Sequence, residues 1–225
     1  MNLPPIERSH AVSAKSRMMS FVKTTIAGLI GWIGWIGLAA PLCAQQPLFM
    51  QEPPLFKNCS WCHGPSAQGL ASAPRLAGQR QEYLENQLFN FVNHSRDNPY
   101  SKDFMWHAVA NLSPDAMRDL ADYLSTLPPV AARDGERDLV AEGRHIYELG
   151  VPDSNIAACV VCHGPNAEGV RQIPRLGGLE YSYVKRRLEE WGQGYHASAW
   201  PMPRVAGKLS AQDIEALASY LSYVE

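Results

Sequence analysis

The sequence predicts an all-α protein made of two tandem copies of one small helical domain, and three observations carry this expectation. Residues 59–78 (CSWCHGPSAQGLASAPRLAG) and 159–178 (CVVCHGPNAEGVRQIPRLGG) share 11 of 20 positions at an offset of 100. Residues 105–124 and 202–221 share 7 of 20 at an offset of 97, so matched features run in the same order in both halves. Behind each second block, apolar residues recur at three- and four-residue spacing, the period of a helix with one buried face. A repeat at such a distance marks a duplicated unit. At roughly 80 to 90 residues, each unit is small enough to need something besides its own core to hold it together.

Residues 1–44 stand apart from the repeat. Arg8, Lys15, Arg17 and Lys23 precede the uncharged stretch Thr24 to Ala44, which closes in small residues, the layout of an export signal. The segment reads as a signal peptide cleaved after Ala44 or as an uncleaved N-terminal anchor, because 21 uncharged residues can just span a bilayer. Gly28, Gly31, Gly34, Gly37 and Pro41 dilute its hydrophobicity and favour cleavage. On either reading the rest of the chain is exported, so the periplasm is the expected compartment, with contact to a membrane surface through residues 24–44 if the segment stays attached. Without residues 1–44 the chain carries 16 Lys and Arg against 21 Asp and Glu. A mildly acidic protein has no basic surplus for neutralising phosphates, which argues against nucleic-acid binding.

The first domain is expected over residues 45–127. Pro47 to Asn58, with Pro53-Pro54, can hold a helical turn at most. Tyr83, Leu84, Leu88 and Phe91 outline a middle helix. Ser113-Pro114 followed by Asp115 starts a closing helix that carries Met117, Leu120 and Leu124. Periodicity then stops at Leu127-Pro128-Pro129, which places a linker over residues 128–137. The second domain, 138–225, opens with a helix from Asp138 to Leu149 containing Gly143 and Tyr147. It repeats the middle helix with Tyr183, Val184, Leu188 and Trp191. It closes behind Ser210 and Asp213 with Ile214, Leu217 and Leu221.

Four of the five cysteines fall in two Cys-x-x-Cys-His motifs: Cys59, Cys62 and His63, then Cys159, Cys162 and His163. Two thiols three residues apart on one helical turn can add to the two vinyl groups of one haem, and the next residue, His, is then placed to ligate the iron. A thioredoxin-like redox pair would need a βαβ context that is missing here. A zinc ribbon wants its Cys pairs close together, whereas 96 residues separate Cys62 from Cys159.

With Cys-x-x-Cys-His-Gly followed by Pro-Arg-Leu-x-Gly at 74–78 and 174–178, then a Met-led segment ahead of the closing helix, the sequence resembles the dihaem class I cytochromes c of the cytochrome c4 type. The resemblance covers nearly all of residues 45–225. It implies two tandem domains, each wrapped around one covalently bound haem, hence two haem c groups, with a Met sulfur as the second axial ligand of each iron. Met202 lies 39 residues after His163 and seven before Leu209. Met105 lies 42 after His63 and seven before Leu112, with His107 two residues on as a competing ligand. His94, like His107, reads as a surface histidine, His145 and His196 have no motif around them, and Met50 and Met117 read as packing. In the resembled family a Pro carbonyl about 11 residues after the ligating His accepts its Nδ1–H, a role that falls here on Pro74 and Pro174. Arg75 and Arg175 either pair with haem carboxylates or stay solvated. Gly64, Gly69, Gly164 and Gly169 fit a tight loop beneath the haem.

An iron held by His and Met has no free position for peroxide, oxygen or a substrate, yet it exchanges one electron readily. The expected function is therefore an electron carrier rather than an enzyme, serving redox proteins such as a quinol-oxidising complex, a dehydrogenase or a terminal oxidase. Two alternatives remain open at this stage. One is a dihaem enzyme, a peroxidase or sulfur-compound dehydrogenase, with an open position at the first haem near Trp106 and His107. The other is an electron-transfer subunit of a membrane dehydrogenase.

Overall fold

The computed structural model describes residues 52–70 and 72–225. The export segment, Met50 and the start of the Pro47–Asn58 stretch lie outside these residues. Among them the regular structure is helical, with isolated bridges such as Leu70 to Ala73 and Val170 to Ile173 at matching places in the repeat.

The first domain holds α1 (Phe56–His63), α2 (Gln81–Val92), a π-helical turn (Ser101–Met105), α3 (Trp106–Val109) and α4 (Pro114–Thr126). The second holds α5 (Val140–Leu149), α6 (Val160–His163), α7 (Tyr181–Gly192), α8 (Met202–Ala206) and α9 (Ala211–Tyr223). Helix starts follow the chemistry expected of them. Ser113 accepts from Ala116 N–H with Pro114 at the first helical position, and Ser210 exchanges bonds with Asp213 in a capping box. α1 begins only three residues before Cys59, so Pro53-Pro54 precede the helix rather than enter it.

Each domain buries its own cluster. Phe56, Leu84, Leu120, Ala121 and Leu124 form the first. Ile146, Tyr147, Val184, Leu188, Ile214, Leu217 and Leu221 form the second, where α5 crosses α9. Met117 is buried, as packing requires. Between the domains, residues 127–136 carry no helix but are held along the second domain. Ala132 N–H donates to Gly178 O (3.1 Å) and Arg133 N–H to Ser222 O (2.9 Å). Gly135 N–H bonds Ser222 Oγ (3.0 Å), and Tyr223 OH donates to Gly135 O (2.9 Å).

The α5–α9 crossing depends on Gly143. A Cβ there would lie 1.9 Å from the Ala216 carbonyl oxygen and 2.7 Å from Tyr220 Cβ, so backbone and side chain both block it. Gly143→Ala is expected to cost about 1–3 kcal/mol through overpacking, read as a lower urea midpoint for the second domain. An unchanged midpoint would show that the two helices separate easily.

Candidate haem sites

The same loop is built twice, and it starts at a glycine. α1 and α6 end at Gly64 and Gly164, each with φ of 81°, a conformation that L side chains rarely adopt. The chain then curls back so that Gly69 N–H donates to His63 O (2.9 Å) and Gly169 N–H to His163 O (2.8 Å). Ala67 and Ala167, fully buried, act as hubs. The Ala67 carbonyl accepts from Leu76 and Ala77 N–H (2.9 and 3.0 Å), and the Ala167 carbonyl from Leu176 and Gly177 N–H (2.7 and 3.0 Å).

These closures press each proline carbonyl onto a histidine ring. His63 Nδ1 lies 2.7 Å from Pro74 O, and His163 Nδ1 lies 3.0 Å from Pro174 O. A carbonyl can only accept, so Nδ1 carries the proton and Nε2 keeps its lone pair for a metal. Both rings are 6% exposed, and burial lowers both pKa values against the opposing pull of the proline carbonyl. The charge of Arg96 pushes further in the same direction at His63, and no comparable charge acts at His163.

The cysteines stand beside these rings with no disulfide among them. Cys59 and Cys159 are half-buried, Cys62 and Cys162 exposed. Burial raises the thiol pKa of both half-buried ones, that of Cys159 to about 11, so they stay protonated at neutral pH. Two thiols and one ligating imidazole nitrogen on a single helical turn are the donor set a covalently attached haem requires, so the residues fit the group. Met105 ends the π-helical turn and Met202 starts α8, both half-buried, and Met202 packs against the second core. His94, His107 and His145 are exposed, and His94 stacks on Trp106 with ring centroids 3.9 Å apart.

Comparison with known proteins agrees with this geometry. The cytochrome c family profile matches residues 53–128 and again 140–225. The chain belongs to the cytochrome c family. Within it, cytochrome c4 from Thiocapsa roseopersicina is 32% identical over 72% of this chain and 85% of its own length. A thiosulfate dehydrogenase electron acceptor from Stutzerimonas stutzeri is 35% identical over 76% and 81%. The solved cytochrome c4 of Acidithiobacillus ferrooxidans superposes with a TM-score of 0.70 at 32% identity, covering 74% of this chain and 98% of that one. The protein is a dihaem electron-transfer cytochrome of the cytochrome c4 type, and its paired cysteines mark two covalently bound haem c groups.

The two cytochrome domains meet at a polar seam, part of which answers the question of Arg75. This residue is 3% exposed, so it is not solvated. Its terminal nitrogens reach backbone carbonyls of the linker and the second domain. Nη1 donates to Val130 O and Gly178 O (both 2.7 Å), and Nη2 to Gly177 O (2.6 Å). Its backbone N–H reaches the Glu180 carboxylate at 3.1 Å. Burial, and next the charge of Arg175, lower the Arg75 pKa to about 10, which leaves it cationic at neutral pH. The reciprocal contact is made by Arg175, whose N–H donates to Gln79 Oε1 (2.7 Å). Its own Nε turns to Gly177 O at 3.3 Å.

A second tier of the seam was hidden in the sequence. Arg96 donates to Gln87 Oε1 (2.7 Å) and to Tyr183 OH (3.2 Å). Asn98 Nδ2 donates to Glu190 Oε1 (3.2 Å), and Glu190 pairs with Arg187 at 2.5 Å. Arg187 Nη2 lies 3.2 Å from His196 Nδ1, while Asp97 Oδ1 accepts from His196 N–H (2.6 Å). The available signal was that Arg187 and Glu190 fall among Val184, Leu188 and Trp191 on a helix face otherwise apolar.

His196 is 3% exposed, and its pKa falls to about 3, through burial first and then the charges of Arg96 and Arg187. The folded protein thus refuses a proton that the unfolded chain accepts near the ordinary imidazole value of 6.5. Stability is full above that value and falls as pH drops toward 3, with a slope of up to about 1.4 kcal/mol per pH unit. His196→Gln is expected to flatten the decline in urea midpoint between pH 7 and pH 5. Parallel declines in variant and wild type would count against this account.

Proposed function

We propose that the protein is a periplasmic electron carrier rather than an enzyme. His63 with Met105 and His163 with Met202 serve as axial ligands, and Cys59, Cys62, Cys159 and Cys162 make the thioether bonds. Residues 1–44 deliver the chain to that compartment, 45–127 and 138–225 are the working units, and 128–137 joins them. The observation that carries this reading is the repeated Nδ1–H to proline carbonyl bond, which leaves Nε2 as the ligating nitrogen in both domains. When bound, each haem supplies a one-electron couple.

The residues around that couple suit carriage more than chemistry. Both rings are buried and held from behind by a proline carbonyl, so they change little in position whatever the charge of the group they bind. Met105 and Met202 occupy matching places seven residues before Leu112 and Leu209, so each loop presents a soft thioether at the same point. Arg175, whose Nε has a single weak carbonyl contact, is the better placed of the repeated arginines to meet a haem carboxylate. The relative named a thiosulfate dehydrogenase electron acceptor supports a dehydrogenase as donor. A quinol-oxidising complex as donor and a terminal oxidase as acceptor fit the same role.

Denaturing mass spectrometry is expected to show the polypeptide plus two haems, and Cys159→Ala with Cys162→Ala to leave one. Both ferric haems should give the weak near-red sulfur-to-iron charge-transfer band. Met202→Ala should remove about half of it, and Met105→Ala the other half. Should His107→Ala change the spectrum while Met105→Ala does not, His107 is the ligand in the first domain. Carbon monoxide binding to the native reduced protein, with turnover of peroxide or a sulfur compound, would replace the carrier with an enzyme.

A further inference from the structure

The two methionine segments are built differently. α2 and α7 are equal in length and stand 100 residues apart, yet the stretch from His63 to Met105 is three residues longer than that from His163 to Met202. The excess therefore falls between α2 and Met105. In the second domain Pro201 and Pro203 flank Met202 and stiffen the chain on both sides of it. Met105 has no proline beside it, and Trp106 stands where the second repeat has Pro203.

Hydrogen bonds do in the first domain what the prolines do in the second. The longer segment is anchored at its start by Asn98 and Ser101, both buried: Ser101 N–H donates to Asn98 O (2.9 Å) and Ser101 Oγ to Asn98 Oδ1. It is closed at its end by Trp106, whose backbone N–H donates to Ser101 O and completes the π-helical turn. The Trp106 indole N–H reaches back to Arg96 O at 2.9 Å, and the ring stacks on His94 with centroids 3.9 Å apart. One residue thus ties both ends of the longer segment together.

That tie also sets the rotation of the chain at Met105. Successive residues of a helical turn point about 100° apart, so Met105 and His107, on either side of Trp106, point about 200° apart. A fixed indole therefore fixes both. Met105 is half-buried and His107 is exposed. His94, the other histidine in contact with this segment, is taken up by the stack.

We propose that Trp106 is the positioning residue of the first haem site, holding Met105 in the ligand position and His107 out of it. This deepens the axial-ligand reading above and rests on it. The physical basis is preorganisation. A ligand atom already held in place needs no ordering when it binds, and a competitor turned away has first to break the hold. Without the indole bond, a segment three residues longer than its counterpart is closed only by the stack and the main-chain bond to Ser101.

The test follows displacement of the sulfur ligands from the purified ferric holoprotein by added imidazole, read as decay of the near-red band. Met105→Ala and Met202→Ala, each of which should keep one decay and lose the other, assign the two decays to the two domains. Trp106→Phe keeps a ring for His94 but has no N–H to donate. It is expected to speed the first-domain decay about tenfold, the worth of one such hydrogen bond, and to leave the second unchanged. Trp106→Ala removes bond and stack together and should speed the first decay further. Lys102→Gln removes only the more distant cation, 5.9 Å from the Trp106 ring centre, and should move neither decay. In the reduced wild-type protein the Trp106 indole N–H should exchange with deuterated solvent far more slowly than that of Trp200, which is 77% exposed. Equal speeding of both decays, an unmoved first decay in Trp106→Phe, its reproduction by Lys102→Gln, or an indole N–H as fast as that of Trp200 would overturn the proposal. A full band in Met105→Ala would refute the axial-ligand reading itself, whereas a band halved by Met105→Ala with an unmoved first decay in Trp106→Phe would refute only the role of Trp106.

Discussion

The hydrogen bond from a histidine Nδ1–H to a proline carbonyl eleven residues away is the constraint on which each domain turns. It needs a left-handed glycine at 64 or 164 to reverse the chain, and a buried alanine carbonyl at 67 or 167 to gather the returning strand of loop. It also needs a core against which that loop can rest. In return it fixes which imidazole nitrogen is protonated, which decides which one can bind a metal. A helix alone would hold two thiols and a histidine together but would leave the ring free to turn. The loop converts a sequence motif into a ligand of defined direction.

The second constraint is that domains this small have little core of their own. Here the two share a seam, and that seam is built largely from charge and hydrogen bonds. Arg75 donates three bonds to carbonyls of residues 130, 177 and 178, which ties the first domain to the linker and the second domain at once. Removing one partner from such a network leaves a buried cation unmet, which costs far more than the net contribution of the bond itself. A seam of this kind fixes geometry more strongly than it contributes to stability.

The sequence was legible where chemistry is local. The Cys-x-x-Cys-His repeats, the serine caps at Ser113 and Ser210 and the apolar spacing of α2, α4, α7 and α9 each follow from a few neighbouring residues. Partners distant in sequence were not legible. Arg75 lies within a repeated motif, and nothing in Pro-Arg-Leu-x-Gly shows that one copy turns to the carbonyls of residues 177 and 178. His196 has no motif around it because its environment comes from Asp97, Arg96 and Arg187, of which only Arg187 is near it in the chain. The π-helical turn at Ser101–Met105 is equally silent, being set by the path from Arg96 to α3 rather than by periodicity.

A duplicated domain that packs against its own copy brings equivalent residues toward one another. Identical cations then repel in a place with little water to screen them, and the charge of Arg175 acting on Arg75 is the trace of that problem here. Complementarity across such a seam requires the copies to diverge where they meet. They do so in pairs: Arg80 against Glu180, Gln79 against Leu179, Gln87 against Arg187, Arg96 against His196. The haem loops, which reach the seam through Arg75 and Arg175, keep 11 of 20 residues in common. The seam therefore adds to an asymmetry that the methionine segments already carry, Met105 ending a π-helical turn and Met202 starting α8. That asymmetry is the physical ground for expecting two unequal electron sites from one repeated fold.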